Sequence, residues 1–233
     1  MNALCRSSIA ELAGTFTLTF IGAGTIISTV GGGSGGGLVA IAVAHGLALA
    51  MAIYATGHIS GGHINPAVTI AMLAARKISL GHAVGYIIAQ LAGATLGALL
   101  LKVLFPPEWV ATANLGATLA LDQQGASLLA SPKIIIIEAI LTFFLLTTIF
   151  AVAVDKRGPK NVYGFAIGLT VCLDILCAGP LTGASMNPAR SFGPALVGGY
   201  WTDHLAYWLG PILGGLFAAF LYATCLASKE EEK

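Results

Sequence analysis

Charged residues are scarce in this sequence of 233 residues. Asp, Glu, Lys and Arg together make up 9% of it, against roughly 25% in an ordinary soluble domain. With 57% apolar residues, the chain cannot cover a water-exposed surface, and its long apolar runs exclude a disordered or coiled-coil protein. The net charge of +1 gives no field that would attract nucleic acid, so no nucleic-acid partner is expected. The composition is typical of a protein that crosses a membrane several times and is surrounded by membrane lipid.

Cysteine is also scarce, and its spacing gives no metal motif. The four cysteines form no CxxC pair, and three lie in or beside apolar runs, so we expect free, buried, small hydrophobic residues. His58 and His63 are not at the i,i+4 spacing of a zinc-binding helix. Neither a G-x-S-x-G nor an H-E-x-x-H motif is present. We therefore predict no enzyme activity, no metal and no cofactor. The cysteines are Cys5, Cys172, Cys177 and Cys225.

Six apolar stretches are each long enough to cross a membrane, since a hydrocarbon core of about 30 Å requires about 20 helical residues. The first carries Glu11 near its start and recurs later in the chain, so we interpret it as a permanent helix rather than a signal peptide. In the third, Gly93 and Gly97 indicate close helix contacts, either within or between subunits. We predict an all-α membrane protein. The six stretches are residues 8–30, 38–57, 82–105, 134–154, 162–181 and 204–227.

Basic residues between the spans indicate the orientation of the chain. They are concentrated after spans two and four and near the two ends, whereas the opposite side offers only Lys102 and Lys133. Because cytoplasmic segments carry an excess of Lys and Arg, we predict that both termini are cytoplasmic. The sequence leaves open whether the membrane is the plasma membrane or an internal, vacuolar-type membrane. The concentrated basic residues are Arg6, Arg76, Lys77, Lys156, Arg157, Lys160, Lys229 and Lys233.

The two halves of the chain repeat each other. The pattern E-x-x-x-T-F begins at Glu11 and again at Glu138, and an Asn-Pro-Ala triplet begins at Asn65 and again at Asn187. Each half has three spans, an odd number, so the second copy enters the membrane from the opposite face. Such inverted repeats place their sites near the bilayer midplane, where the halves meet. We predict a single domain, residues 1–233, composed of a first repeat 8–105, an extracellular linker 106–133 and a second repeat 134–227.

A segment too short to cross the membrane follows the second span and again the fifth, at residues 58–77 and 182–200. Each has a glycine-rich start, the Asn-Pro-Ala triplet and a short apolar run. Asparagine suits a helix N-cap and proline the first helical turn, so we predict a re-entrant loop followed by a half helix. Irregular backbone at membrane depth lines a wet cavity or is buried in protein, so we expect a pore here. Its predicted residues are Asn65, Pro66, Ala67, Asn187, Pro188 and Ala189.

The facing half helices predict a passive passage for water and small neutral solutes. Each asparagine amide offers N–H donors to a passing oxygen, and a water held there breaks a continuous proton wire. The positive N-terminal ends of the half helices repel H₃O⁺ and metal cations. An ion-coupled secondary transporter also uses inverted repeats and broken helices. Coupling needs titratable groups at the midplane, where the triplets provide only asparagine and proline, so this alternative is remote.

The paired triplets, Glu11, Glu138 and Arg190 directly after the second triplet resemble the major intrinsic protein family, the aquaporins. The resemblance covers essentially the whole chain. It implies the aquaporin fold, with six transmembrane helices plus two re-entrant half helices in an inverted 3+3 repeat, and a homotetramer with one pore per subunit. It also implies that Glu11 and Glu138 accept hydrogen bonds from the re-entrant loops, and that His63 stabilises its loop.

The resemblance implies a second constriction toward the outer mouth, a selectivity filter of four side chains. Carried over by their distance from the triplets, these four positions resemble His45, Ile175, Ala184 and Arg190 in this chain. Arg190 is one of few charges in the apolar regions, where a charge faces a cavity or a partner. Strictly water-selective relatives have an aromatic residue in place of His45 and a histidine in place of Ile175. The difference implies a wider constriction that is apolar on its Ile175 side.

This filter resembles that of plant tonoplast intrinsic proteins and the animal aquaporin-eight type, whose members pass ammonia and hydrogen peroxide besides water. The alternative is an ammonia or peroxide facilitator for which water flow is incidental. Glycerol is disfavoured, because Ser191 stands where glycerol channels of the family carry aspartate. Asp174 has no counterpart in the first half, and two interpretations stay open. It either holds a neighbouring polar group near the outer mouth or binds buried water.

Overall fold

Six long apolar helices form most of the described part of the chain, which is residues 2–120 and 131–227 of a computed structural model. Each is long and apolar enough to cross a membrane. The described ranges contain no strand, and the predicted all-α membrane fold with two half helices is confirmed. The α-helices are α1 Ala3–Ile26, α2 Gly37–Ser60, α3 Pro66–Ala74, α4 Leu80–Leu104, α5 Pro107–Thr112, α6 Ser131–Ile149, α7 Tyr163–Thr182, α8 Pro188–Gly198 and α9 Ala206–Leu221.

Three of the long helices end in a wider π-helical turn. These turns extend α1, α6 and α9, so that the spanning segments become Ala3–Gly31, Ser131–Val154 and Ala206–Leu226. The first span begins at Ala3 rather than at residue 8, because the Asn2 side chain caps the helix and accepts a hydrogen bond from the Cys5 N–H at 2.8 Å.

The linker predicted at 106–133 is partly helical. It contains α5 and a 3₁₀ turn at Asn114–Gly116, and α6 already begins at Ser131. Proline at the first position of α5 suits a helix start, which explains the short helix in this segment. The middle of the linker, residues 121–130, lies outside the described residues, as do the basic residues Lys229 and Lys233 of the tail.

The helices pack in pairs that follow the repeat. In the first half α1 packs against α4, and in the second half α6 packs against α9, while α2 and α7 join the two halves. The half helices are exchanged: α3 of the first half packs against α9, and α8 of the second half packs against α4. The two short helices therefore both lie at the junction between the halves, which is where an inverted repeat forms its site.

Glycines allow the long helices to approach closely inside one chain. A Cβ atom on Gly93 would collide with the α1 backbone, and one on Gly97 would lie 3.2 Å from the carbonyl oxygen of Phe16 in α1. Where α2 crosses α7, a Cβ on Gly46 would lie 2.5 Å from the carbonyl oxygen of Gly168. The sequence left open whether these glycines make helix contacts within one subunit or between two. In the structure they make contacts within one subunit.

The prediction of buried cysteines is wrong for three of the four. All are free, but Cys5, Cys177 and Cys225 are exposed, and only Cys172, near the crossing of α2 and α7, is buried. An apolar run in a spanning helix does not require burial inside the protein, because lipid is as apolar as the protein core.

Candidate functional site

The two Asn-Pro-Ala triplets begin the half helices α3 and α8 in the same way. The Asn65 side-chain oxygen accepts a hydrogen bond from the Ala67 N–H at 2.8 Å. The Asn187 oxygen accepts from the N–H groups of Ala189 at 3.0 Å and Arg190 at 3.3 Å. Proline occupies the first helical position in both, where its missing N–H leaves no bond unmade. Both caps thus satisfy N–H donors that would otherwise be orphaned.

The irregular backbone before the first half helix begins three residues later than predicted, and that before the second begins one residue later. The predicted segments were 58–77 and 182–200, but α2 continues to Ser60 and α7 to Thr182. Only residues 61–65 and 183–187 lie between helices. Both preceding helices are capped by a glycine with positive φ, which ends the helix without a steric penalty.

The two loops have matching backbone conformations. Three pairs of residues related by the repeat all have positive φ, a region that costs an L-residue roughly 1–2 kcal/mol. Two of the pairs include residues other than glycine, so outside contacts must hold them. The pairs are Gly61 (92°) with Gly183 (81°), Gly62 (64°) with Ala184 (44°), and Ile64 (56°) with Met186 (54°).

In the first half these contacts come from Glu11, which is fully buried. Its carboxylate accepts hydrogen bonds from the backbone N–H groups of His63 at 2.9 Å and Ile64 at 2.5 Å. It also accepts from the Ser60 hydroxyl at 2.6 Å and from the Gln90 amide at 2.7 Å. A carboxylate accepts without donating, so it fits this set of converging donors.

Glu138 makes the equivalent contacts in the second half and is also fully buried. It accepts from the N–H groups of Ser185 at 3.0 Å and Met186 at 2.7 Å, and from the Thr182 hydroxyl at 2.7 Å. Each carboxylate therefore binds the loop of its own half, including the residue that has positive φ just before the asparagine. Both lie behind the loops and not on the cavity described below.

His63 contacts the first half helix from its loop. Its ring Nδ1 lies 3.1 Å from the Thr69 hydroxyl, and the ring packs edge-on against Tyr86 with centroids 5.3 Å apart. The Tyr86 hydroxyl in turn donates to the carbonyl oxygen of Ser60 at 2.8 Å. His63 thus connects its loop with α3 and α4.

Each triplet asparagine also reaches across to the other half. The Asn65 amide nitrogen donates to the carbonyl oxygen of Met186 at 2.7 Å, and the Asn187 amide nitrogen donates to that of Ile64 at 2.9 Å. An amide nitrogen has two hydrogens, so one N–H of each asparagine is bound to the opposite loop. The second N–H is left for another acceptor.

A cavity of about 190 Å³ runs past both asparagines. All four residues predicted for the filter, His45, Ile175, Ala184 and Arg190, line it together with Asn65 and Asn187, whereas the proline and alanine of each triplet do not. Arg190 is the only lysine, arginine, aspartate or glutamate among the described residues in its wall. The remainder of the wall is largely aliphatic, and includes Leu18, Leu49, Ile53, Val68, Met72, Leu145, Ile149, Ile167 and Val171.

Arg190 and His45 contact each other at one end of this cavity. The Arg190 guanidinium donates through Nη1 to the carbonyl oxygen of Gly116 at 2.8 Å and through Nη2 to His45 Nε2 at 3.2 Å. His45 Nδ1 lies 2.8 Å from the carbonyl oxygen of Ile41. A carbonyl oxygen only accepts, so the ring hydrogen is on Nδ1 and Nε2 is free to accept from Arg190.

Sequence reasoning missed the residues that hold Arg190 and the start of α8. Gly116 lies in the linker, and no spacing connects it with Arg190. The Ser185 hydroxyl donates to the carbonyl oxygen of Asn187 at 2.9 Å and lies 2.6 Å from the Ser191 hydroxyl, which is 2.6 Å from that of Thr118. Since the Ser185 hydrogen is used, Ser191 donates to Ser185, and Thr118 donates to Ser191. The chain of hydroxyls ties the linker to the second half helix.

Asp174 is buried in α7 but does not line the cavity. Its Oδ2 atom has no hydrogen-bond partner among the described residues. The expectation that this carboxyl group holds a neighbouring polar group is therefore not met at that oxygen. Buried water fits this oxygen, since a buried polar atom without a protein partner is usually satisfied by water.

A separate polar cluster lies beyond the end of α6, next to Ala153 and Val154 of the cavity wall. Asp155 accepts hydrogen bonds from the Arg157 side chain, the closest at 2.5 Å, and from the Tyr222 hydroxyl at 2.7 Å. The Arg157 guanidinium holds the pKa of Asp155 well below its usual range, and the carboxylate raises the pKa of Arg157. Arg157 also donates to the carbonyl oxygen of Leu226 at 2.8 Å, so the loop after α6 is tied to the end of the last span.

Comparisons with known proteins give one consistent result. The family model described as Major intrinsic protein matches residues 1–222. Aquaporin TIP4-4 of Zea mays is 44% identical over 223 residues, covering 93% of this chain and 85% of that protein. Aquaporin-8 of Mus musculus is 41% identical over 215 residues, covering 91% and 79%. The X-ray structure of the aquaglyceroporin from Plasmodium falciparum superimposes with a TM-score of 0.83, covering 96% of this chain and 97% of that chain at 24% identity, which establishes likeness of fold alone.

Proposed function

The chain belongs to the major intrinsic protein family, the aquaporins, and is a passive membrane channel for water and small solutes rather than an enzyme; we propose that it also passes ammonia and hydrogen peroxide, and that it excludes protons and ions. The observation that carries the proposal is the pair of capped half helices on one cavity, with Asn65 and Asn187 cross-bonded to the opposite loops.

Proton exclusion follows from the remaining N–H group of each asparagine. A water oxygen at this point accepts from Asn65 and Asn187, so its own hydrogens point away along the passage in both directions. A proton wire needs each water to accept from one neighbour and donate to the next, and the wire is interrupted where a water only donates. The positive ends of α3 and α8 add an electrostatic barrier to H₃O⁺.

Exclusion of other ions rests on the cavity wall. An ion that enters must leave its hydration shell, and an aliphatic wall does not replace the lost hydrogen bonds. For cations the Arg190 guanidinium at the filter adds direct repulsion. For anions the narrow apolar wall remains the barrier, since moving an isolated charge out of water is far more costly than moving a neutral molecule.

Passage of ammonia and peroxide is supported by the character of the filter. Ile175 offers no hydrogen bond and Ala184 has a small side chain, so a permeating molecule meets polar groups on the His45 and Arg190 side only. A filter that discriminates by hydrogen bonding favours water. A filter with fewer polar contacts is more favourable to a less strongly hydrated solute such as ammonia. Glycerol is not proposed as a permeant, because Ser191 stands where glycerol channels of the family carry aspartate.

The roles proposed for the remaining residues follow their contacts. Glu11 and Glu138 hold the two loops, and His63 stabilises the first. A proton-relay role for the two glutamates is disfavoured, because they bind backbone N–H groups behind the loops rather than facing the cavity. The same arrangement disfavours an ion-coupled transporter, which would need a titratable carboxylate at the substrate site.

The test is a side-by-side permeability panel in vesicles of purified protein, with water, ammonia, hydrogen peroxide, urea and glycerol. We expect the fluxes of water, ammonia and peroxide to exceed those of protein-free vesicles, and the flux of glycerol to equal that of protein-free vesicles. Ammonia and peroxide flux with water at background would favour the facilitator for which water flow is incidental. Saturable uptake that depends on an ion gradient would favour the transporter. No flux of any neutral solute would overturn the proposal.

We further propose that the chain is one channel domain with repeats 8–105 and 134–227. We propose that four copies assemble, with one pore each. We also propose that both termini are cytoplasmic and that the linker 106–133 lies on the other side of the membrane. Native mass spectrometry of the purified protein tests the number of copies. Labelling with a membrane-impermeant maleimide tests the orientation in a Cys177→Ser, Cys225→Ser variant, in which Cys5 is the one exposed cysteine left among the described residues and should react only after the cells are permeabilised.

A further inference from the structure

Gly22 of α1 lies directly against the His45 ring. A Cβ atom built on Gly22 would lie 2.5 Å from the ring Cδ2 atom and 2.9 Å from Cε1, and closer still to Nε2. Carbon atoms in contact are normally 3.5–4.0 Å apart. The ring therefore occupies space that any other residue at position 22 would fill with its own side chain.

The atom nearest to this position is the one that accepts from Arg190. His45 Nε2 takes the Arg190 hydrogen bond at 3.2 Å, while Nδ1 is fixed by its bond to Ile41 on the helix itself. The ring is thus bounded by α1 on one side and by the cavity and Arg190 on the other. It cannot move away from α1 without moving toward the passage.

The second half of the chain has different residues at the positions that align with Gly22 and His45. The repeat register that aligns Glu11 with Glu138 aligns Gly22 with Ile149, and the register that aligns Gly46 with Gly168 aligns His45 with Ile167. Ile149 and Ile167 both line the cavity. One half therefore has two aliphatic side chains where the other has a glycine and a histidine.

We propose that Gly22 is a specificity-determining residue that acts through His45: the space left by its missing side chain allows the imidazole to lie back against α1 with Nε2 on Arg190, and so sets the width of the outer filter. Gly22 does not itself line the cavity, and it is a positioning residue. The inference rests on the proposed function, because it assumes that His45 and Arg190 form the filter.

A methyl group at position 22 must push the ring about 1 Å toward the passage to restore ordinary contact distances. The narrower filter should affect a larger solute more than a smaller one. We expect Gly22→Ala to lower the ratio of hydrogen peroxide to water permeability by about tenfold, the effect of one extra methyl-sized group at a closely fitted site.

The experiment measures both permeabilities in vesicles of the full-length protein, for the unmodified chain, Gly22→Ala, His45→Ala and the double variant. Gly24→Ala is the matched control, because Gly24 is buried on the same helix but faces Leu101, away from the cavity. Gly24→Ala should leave the ratio unchanged. In the double variant the smaller residue 45 leaves room for the methyl group, so its ratio should equal that of His45→Ala alone.

The outcomes separate this inference from the proposed function. If the unmodified chain passes no neutral solute, the proposed function fails. If it passes water and peroxide but Gly22→Ala has the unmodified ratio, only the role of Gly22 is overturned. The same holds if Gly22→Ala lowers the ratio equally in the His45→Ala background, since the effect would then not pass through His45.

Discussion

The chemistry of the proposed filter depends on a few atoms around Arg190. This side chain is almost fully buried, at 2% exposure, and its guanidinium is directed by two acceptors on different elements, the Gly116 carbonyl oxygen and the His45 ring. A planar guanidinium can donate in several fixed directions at once, which a lysine ammonium does not match. The charge of Arg190 and the directed hydrogen bonds of its guanidinium are therefore separate properties, and a substitution can remove the bonds while keeping the charge.

Replacing Arg190 by valine removes both properties. We expect Arg190→Val to widen the filter, to raise the flux of larger neutral solutes relative to water, and to weaken cation rejection, because the repelling charge is lost. Arg190→Lys is the matched variant, since it keeps the charge without the two directed bonds. Vesicle assays of urea, water and sodium flux measure the effects. Unchanged solute selectivity in Arg190→Val would contradict the assignment of the filter.

A second prediction concerns the polar side of the filter. We expect His45→Phe to lower ammonia flux more than water flux, because the larger ring narrows the filter and removes the Nε2 acceptor that directs Arg190. Stopped-flow measurements of ammonia uptake and osmotic swelling in parallel test this. Ammonia and water fluxes that both stay at the unmodified level would mean that His45 is not part of the passage.

Sequence reasoning could identify these two residues but not their surroundings. His45 and Arg190 stand at fixed distances from the triplets, so a resemblance to a family was enough to name them. The Gly116 carbonyl and the recess at Gly22 are backbone features, and a sequence pattern does not record which backbone atoms meet in space. The exposure of Cys177 was missed for a related reason, because an apolar run gives no information on which helix face meets lipid.

At the scale of elements, the half helices depend on the buried glutamates behind them. Residues with positive φ on both loops are strained, and the strain is offset where Glu11 and Glu138 accept the backbone N–H groups of the same residues. Fixing the loops also fixes the two caps. The position of each asparagine is therefore set by a carboxylate on another helix.

Replacing Glu138 by glutamine tests this dependence. The amide keeps one acceptor oxygen but directs an NH₂ group at an N–H donor, so we expect Glu138→Gln to leave a buried N–H unsatisfied and to destabilise the fold by about 2 kcal/mol. Water flux should fall as the loop loses its position. Thermal unfolding in detergent and water permeability are measured together. Glu108→Gln, on an exposed position of the short helix α5, is the control and should change neither. Unmodified stability and flux in Glu138→Gln would contradict the role of the carboxylate.

Elements were predicted well where the chemistry is local. Asparagine and proline mark the start of each half helix, and apolar length marks each span, so these required no tertiary information. The first loop was predicted to begin at residue 58, which is too early, because α2 continues to Ser60 before Gly61 ends it and the composition does not show this. The helix in the linker was not predicted because α5 has only six residues, too few to show the apolar periodicity by which helices are recognised.

At the scale of the whole molecule, the inverted repeat produces both the passage and the arrangement proposed to exclude protons. The inversion directs the positive ends of α3 and α8 toward each other, and the cross-bonds of Asn65 and Asn187 hold the two halves together at that point. The halves differ where His45 of the first aligns with Ile167 of the second, so the wall of the cavity is polar at His45 and aliphatic at its counterpart. In the proposed function, symmetry thus underlies proton exclusion, and departure from symmetry underlies selectivity.

Water and proton flux measured in the same vesicles, under an osmotic gradient and an imposed pH gradient, examine the facing caps directly. The structure predicts water permeability well above that of protein-free vesicles, together with a proton leak no greater than theirs. A proton flux that rises in proportion to the water flux would contradict the arrangement of Asn65 and Asn187 as the point where the chain of waters is broken.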